Sequence, residues 1–228
     1  IYSLLKRQRI NVIYLPFGVD LKEFDPLRVS PKLFLEKYPQ ISDKTRIVYS
    51  GGIWEVNGRD ALGVEKLIKA FRIVEEKETN AILLLQTTPK VMDIVRRYGI
   101  KNVLYVKQTV WNDPLRLSLF RNADIMVATG STYPAVYLSE RTTMFQYMAA
   151  GNAIVAEATL GMRGVLEHRK DAYLVELDNP IKLADAILEL IRDEGLRKYL
   201  GRNARAKLER DYTWEKLSEK ARKLLESV

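Results

Sequence analysis

Six short apolar runs, separated by stretches of helical periodicity, constrain this chain more than any other feature. Ile47-Val48-Tyr49, Ala81-Ile82-Leu83-Leu84-Leu85, Val103-Leu104-Tyr105-Val106, Ile125-Met126-Val127-Ala128, Ala153-Ile154-Val155-Ala156 and Tyr173-Leu174-Val175 each read as a strand. The longest of them does not alternate with polar residues, as expected of a strand covered on both faces. Between the first two, Val64, Leu67, Ile68, Phe71 and Val74 recur at helical spacing; Val91, Ile94, Val95 and Tyr98 do the same before a stop at Gly99. Leu115, Leu119 and Phe120 mark a further helix that begins near Asp113-Pro114.

Strands alternating with helices predict an α/β fold: a six-stranded parallel Rossmann-like sheet with helices on both faces. In such sheets ligands bind beyond the carboxyl ends of the strands, where the strand order reverses. The residues just after the first, fourth and fifth strands are therefore the candidates. Three helices close the chain, lined by Leu183, Ile187, Leu190 and Ile191, then by Leu196, Tyr199, Leu200 and Leu208, then by Trp214, Leu217, Ala221, Leu224 and Leu225. Thr213 is placed to cap the last of them. Residues 1–40 read differently, as a linker with short helices: Asn11 to Leu15 has strand character, and Pro26, Pro31 and Pro39 follow. Residues 41–228 form the Rossmann-like domain.

The 228 residues hold no cysteine, which excludes disulfides and cysteine-ligated metals. An apolar content of 47% fits a soluble globular protein, and no apolar run reaches the roughly 18 residues of a membrane span. Lys6, Arg7 and Arg9 are not followed by the apolar stretch of a signal peptide. A cytoplasmic location is the expectation. The chain begins at Ile1, which fits a piece of a longer protein. Of the net charge of +8, a surplus of five lies in residues 192–223, with eleven basic and six acidic side chains. That surplus fits a solvated helical surface, an anionic ligand or peripheral contact with the inner face of an anionic membrane. No nucleic-acid-binding signature accompanies it.

The stretch Arg141-Thr142-Thr143-Met144-Phe145-Gln146-Tyr147-Met148-Ala149-Ala150-Gly151 reads as a helix, a glycine stop and entry into the fifth strand. It resembles the donor-binding element of retaining glycosyltransferases with the GT-B fold, family 4. Five more landmarks occur in that family's order: Ile13 to Asp20 with Phe24 and Pro26, Ile47 to Gly58, Asn122 to Val127, Gly161 to Val175, and Tyr212 to Glu215. The resemblance implies the donor half of a two-domain enzyme. Its substrate would be a nucleotide-diphosphate sugar, it would need no cofactor or metal, and its partner would be the missing N-terminal acceptor domain. No catalytic residue is assigned.

The diphosphate of such a donor needs backbone N–H groups, a helix dipole and cationic side chains. Gly51 and Gly52 would let the backbone approach the phosphates, or they form an ordinary turn. The helix after the fourth strand is expected to begin near Ser139, presenting the N–H groups of Arg141, Thr142 and Thr143; the threonines equally suit a cap. Gln146 aligns with the family glutamate that accepts from the ribose hydroxyls. Trp111 either stacks on the base or anchors packing, with Lys107 and Gln108 beside it.

The pattern also departs from the family's. The first of its two glutamates aligns with Leu138, and Glu140 is the nearest acid. Its arginine and lysine align with Gly52 and Asn57, leaving Arg59 and Arg141 to restore the charge. An active transferase with a rebuilt phosphate site and a non-catalytic donor-like module both fit these changes. His168, the only histidine, reads as a structural or solvated loop residue.

Overall fold

The computed structural model describes residues 13–24 and 29–226, apart from the Arg59 side chain. The strands are β1 (Thr45–Ser50), β2 (Glu55–Val56), β3 (Arg59–Asp60), β4 (Ala81–Thr87), β5 (Val103–Lys107), β6 (Ile125–Ala128), β7 (Ala153–Glu157) and β8 (Tyr173–Val175). The helices are α1 (Lys32–Lys37), α2 (Val64–Lys77), α3 (Val91–Tyr98), α4 (Pro114–Arg121), α5 (Pro134–Leu138), α6 (Thr142–Ala150), α7 (Leu160–Arg163), α8 (Pro180–Arg192), α9 (Glu194–Asp211) and α10 (Trp214–Leu225).

All six predicted strands form one sheet, in the order β5-β4-β1-β6-β7-β8, with every neighbouring pair parallel. β1 thus lies beside both β4 and β6, and the order reverses between β1 and β6. This is the doubly wound arrangement, with its crevice at the carboxyl ends of those two strands. Successive residues of each strand serve opposite faces. Ile47, Tyr49, Leu83, Leu85 and Val127 pack with the apolar stripes of α2, α3 and α8. Val48, Leu84, Met126 and Ile154 pack with α4, α6 and the Ala204–Leu208 stretch of α9. Burial on both faces is why the strands read as unbroken apolar runs.

Local chemistry sets most element ends as anticipated. Asp113 caps α4 by accepting from the N–H groups of Leu115 (2.8 Å) and Arg116 (3.1 Å), with Pro114 in the first turn. Thr213 caps α10 by accepting from the Lys216 N–H at 3.2 Å. Gly99 and Gly151 end α3 and α6 in the left-handed conformation, with φ of 64° and 76°.

Two features were not anticipated. β2 and β3 pair as an antiparallel hairpin whose turn is Asn57 (φ 51°) and Gly58 (φ 72°), both in the left-handed region that a two-residue hairpin turn requires. The connection from β6 to β7 holds two helices, α5 and α6, with a break at Ser139–Arg141. The helix expected from Ser139 starts instead at Thr142, because Ser139 (ψ 150°) and Arg141 (ψ 117°) are extended. Gly161 explains the seating of that break: a side chain there would lie 2.1 Å from the Ser139 carbonyl oxygen and 2.8 Å from the Glu140 nitrogen.

Of the first 40 residues, Asn11, Val12 and Pro26 lie outside the described residues, and no strand forms over Ile13–Leu15. The described remainder supplies the expected short helices, a 3-10 turn at Leu21–Phe24 and α1. It also packs closely on the domain. Val19 exchanges backbone hydrogen bonds with Tyr212 (3.1 Å) and Trp214 (3.3 Å), and Val19, Phe24, Phe34 and Ile41 belong to the core on the α6 face.

The basic surplus of the C-terminal helices is largely paired. Lys198, Arg205, Arg210, Arg222 and Lys223 each meet a carboxylate on their own helix or at its end. Arg192 meets Glu78, and Lys207 meets Asp171 and Glu167. Among the described helices none is long and apolar enough to cross a membrane.

If Gly161 is what seats the α5–α6 break, Gly161→Val must displace backbone. It should lower the unfolding free energy by about 3 kcal/mol, the scale of forced overpacking. Urea unfolding measures this.

Candidate functional site

The site begins with a tyrosine. Tyr147, buried on α6, accepts from the Ser50 N–H at 2.9 Å and donates to the Ser50 carbonyl at 3.1 Å. These bonds tie α6 to the last residue of β1. Burial pushes the Tyr147 hydroxyl up to about 12, so it stays protonated and keeps donating. Ser50 in turn donates its hydroxyl to Gln86 Oε1 on β4 at 2.9 Å.

Fixed in this way, the first turn of α6 faces the chain just beyond β1. Ser50, Gly51, Gly52, Gln108, Thr109, Trp111, Arg116, Arg141, Thr142 and Thr143 line one cleft of about 250 Å³. Seven of the twelve residues selected from the sequence are therefore neighbours, at the point where the strand order reverses. The cleft is strongly biased in charge: two arginines line it and no carboxylate does. Its donors are also underused. Arg141 Nη1 and Thr109 Oγ1 are buried without a hydrogen-bond partner. The first-turn N–H groups of Thr142 and Thr143 have no acceptor within their own helix. Such a set of donors suits an anion.

Gly51 is needed for space. A side chain there would come within 2.9 Å of the Tyr49 hydroxyl and 3.4 Å of Arg141 Nη2. Its N–H, however, is not available to a ligand, because it donates to the Gln86 carbonyl at 3.1 Å and continues the sheet. The buried Tyr49 hydroxyl donates to the Gly52 carbonyl at 3.0 Å, shaping the turn. Burial raises the Tyr49 pKa, and the neighbouring Arg141 charge partly counters it.

The other selected residues lie elsewhere. Gln146 is fully buried one turn into α6, does not line the cleft, and has no partner for either amide atom. Glu140 accepts from the Tyr14 hydroxyl, whose pKa is raised by burial and by that carboxylate. Lys107 is exposed at the end of β5. Asn57 lines a second cleft of about 610 Å³ with Asp60, Ser131 and Tyr133, and the Arg59 side chain lies outside what is described. Trp111 serves packing at least in part: Phe17 meets its edge at a centroid distance of 5.5 Å, and the Arg116 guanidinium lies 4.9 Å from its centroid. His168 is exposed, accepts from the Leu174 N–H through Nδ1 at 3.1 Å, and packs on Tyr173. Among the described residues no three acidic or histidine side chains converge as a metal-ligand set.

The structure adds Ser50, Thr109 and Arg116. One signal for Arg116 was present in the sequence: it falls inside the apolar stretch Leu115–Phe120, where a surface arginine has no place. A network at the ends of β6 and β7 steadies the far side of the site. Lys66 Nζ donates to the Gly130 carbonyl (2.7 Å), Glu157 (2.9 Å) and Asp178 (2.5 Å). Burial raises the Glu157 pKa, and Lys66 opposes that rise.

Comparison with known proteins bears on this geometry. Residues 57–207 match the family model described as glycosyl transferases group 1. The uncharacterised glycosyltransferase MJ1607 of Methanocaldococcus jannaschii is 25% identical over 160 residues, 68% of this chain and 39% of that protein. The C-terminal domain of LpcC, a group 1 glycosyltransferase of Francisella tularensis, superposes with a TM-score of 0.68 at 22% identity, covering 86% of this chain and all of that one. Anabaena HepE, crystallised with UDP, superposes with a TM-score of 0.76 at 16% identity, covering 92% of this chain and 55% of that one. The chain spans about half the length of the curated relatives it matches.

The tie between Tyr147 and Ser50 is open to direct test. Tyr147→Phe keeps the ring but leaves the Ser50 N–H and carbonyl buried without that partner. It should cost about 2 kcal/mol of stability, read by chemical denaturation. A loss below 0.5 kcal/mol, on the ~1 kcal/mol scale of one hydrogen bond, would show that α6 is held by packing alone.

Proposed function

Because the chain belongs to the group 1 glycosyltransferases, we propose that it is the donor half of a retaining enzyme, binding a nucleotide-diphosphate sugar at the Gly51–Thr142 cleft. The observation that carries this reading is the cleft's charge: two arginines, a buried guanidinium nitrogen without a partner and a helix N-terminus, with no lining carboxylate. That HepE, which shares the fold, was crystallised in complex with UDP supports a nucleoside-diphosphate ligand for this chain.

In this reading the diphosphate accepts from the Gly52, Thr142 and Thr143 N–H groups and from Arg141. Glycosyl transfer breaks the bond between the sugar and the diphosphate, and negative charge grows on the departing phosphate. Fixed donors aimed at that charge lower the barrier without a metal. Among the residues lining the cleft there is no carboxylate to act as a covalent nucleophile. The acceptor, and the other half of the catalytic cleft, belong to an N-terminal domain of the same enzyme, so this segment alone binds donor without turning it over.

Calorimetric titration with UDP-, GDP- and ADP-sugars tests the proposal. At least one should bind, and Arg141→Ala should weaken it by tenfold or more, the ~1.4 kcal/mol or greater expected of a charge-assisted hydrogen bond. No heat with any of the three at millimolar concentration contradicts it.

One observation favours a second reading, a non-catalytic donor-like module. The Gln146 amide is buried without partners, and by the family resemblance Gln146 and Leu138 align with the family's two glutamates. Sugar transfer or nucleotide-sugar hydrolysis by the full-length enzyme, abolished by Arg141→Ala, eliminates that reading.

Membrane contact through α9 and α10 is a separate proposal, limited by how much of their charge is already paired. Flotation with anionic liposomes should therefore be detectable only at low ionic strength. Co-flotation at physiological salt would show that these pairs give way to lipid.

A further inference from the structure

We propose that Arg116, in α4, is the second phosphate-binding cation of the cleft and the residue that makes the site prefer a nucleoside diphosphate to a monophosphate. The inference rests on the nucleotide-sugar reading above and deepens it, since none of the positions expected to carry that charge includes residue 116.

Arg116 is only 4% exposed, yet among the described residues no carboxylate lies within ion-pair distance of it. Its hydrogen bonds go to the Trp111 carbonyl (2.9 Å) and, at the limit of such a bond, to the Ser50 hydroxyl (3.5 Å). Burial pulls its pKa down, and the nearby Tyr147 hydroxyl and the Glu23 and Asp113 carboxylates only partly restore it. A guanidinium remains cationic in any such setting. Buried charges in proteins are ordinarily paired, because removal from water is costly.

The Trp111 and Phe120 rings, with centroids 4.9 Å and 4.5 Å from the guanidinium carbon, compensate some of that cost. They accept no hydrogen bond in the plane of the fork. The guanidinium has five N–H donors, and the two acceptors it meets leave part of the fork available to a ligand.

Placement argues for a diphosphate. Arg116 approaches Ser50, and Arg141 approaches Gly51, so the two guanidinium groups flank one dipeptide at the end of β1. Both line the same cleft of about 250 Å³, which Thr109, with its unpartnered hydroxyl, also lines. Two cations around one turn suit two linked phosphoryl groups. A single phosphate would engage the Arg141 and α6 side and leave Arg116 without an anion.

The test is calorimetric titration of the chain with uridine, guanosine and adenosine diphosphates and their monophosphates, alongside thermal melts. The parent chain should bind at least one diphosphate more tightly than its monophosphate. R116M should weaken that diphosphate by about tenfold or more and change the monophosphate little. Unchanged diphosphate affinity in a folded R116M overturns the role of Arg116 and leaves the nucleotide reading standing. Absence of binding to the parent chain overturns both. If R116M melts far below the parent, R116K decides, since it keeps the charge and loses the fork. A selective loss of diphosphate affinity in R116K supports the assignment, and no loss, or an equal loss for both ligands, overturns it.

Discussion

Two hydrogen bonds between the Tyr147 hydroxyl and the backbone of Ser50 hold the site together. They bring the first turn of α6, a helix 92 residues further along the chain at its first residue Thr142, against the end of β1. Gly51, just beyond β1, and Thr142, at the start of α6, line one cleft. The strength of those hydrogen bonds derives from burial, since neither partner has water to turn to and an unmade bond there costs more than a made one contributes. Gly161 seats the extended break before α6, and the left-handed Gly151 ends that helix before β7. The arginines, the threonines and the turn at Gly51-Gly52 occupy positions these contacts define.

The site carries underused cationic groups. Arg116 is buried without a carboxylate and Arg141 holds an unpartnered nitrogen; one turn further into α6, outside the cleft lining, both amide atoms of Gln146 lack partners. Elsewhere a buried charge is matched: Glu157 by Lys66, Asp171 by Lys207. Thr87 Oγ1 and Arg121 Nε are also buried without partners outside the cleft; what marks the cleft is that two arginines line it and no carboxylate does, which suits an anion. The positive charge of the C-terminal helices is a different matter, because much of it meets carboxylates, in i,i+4 pairs along the helices and in contacts with Glu78, Glu167 and Asp171.

The sheet and its helices were legible in the sequence because their signals are local. The strands are unbroken apolar runs, and Asp113, Thr213, Gly99 and Gly151 mark helix ends through their own side chains or their lack of one. What escaped depends on contacts between distant segments. The break at Ser139–Arg141 is seated by Gly161, and the loss of the Gly51 N–H to the sheet is decided by Gln86. The role of Arg116 emerges only when α4 packs against Ser50 and the turn holding Trp111. The hairpin at β2 and β3 is the exception: Asn57-Gly58 is a local turn signal, obscured by reading Asn57 as a replacement for a cation.

The most direct test of the whole account is backbone amide NMR of the chain titrated with UDP, GDP and ADP. Binding at the cleft predicts that the largest shifts fall on Gly52, Thr142 and Thr143, while Gly51, already bonded to Gln86, moves less. Shifts centred instead on the loop around His168, or absent from the first turn of α6, would contradict the claim that this helix end and this turn form one anion site.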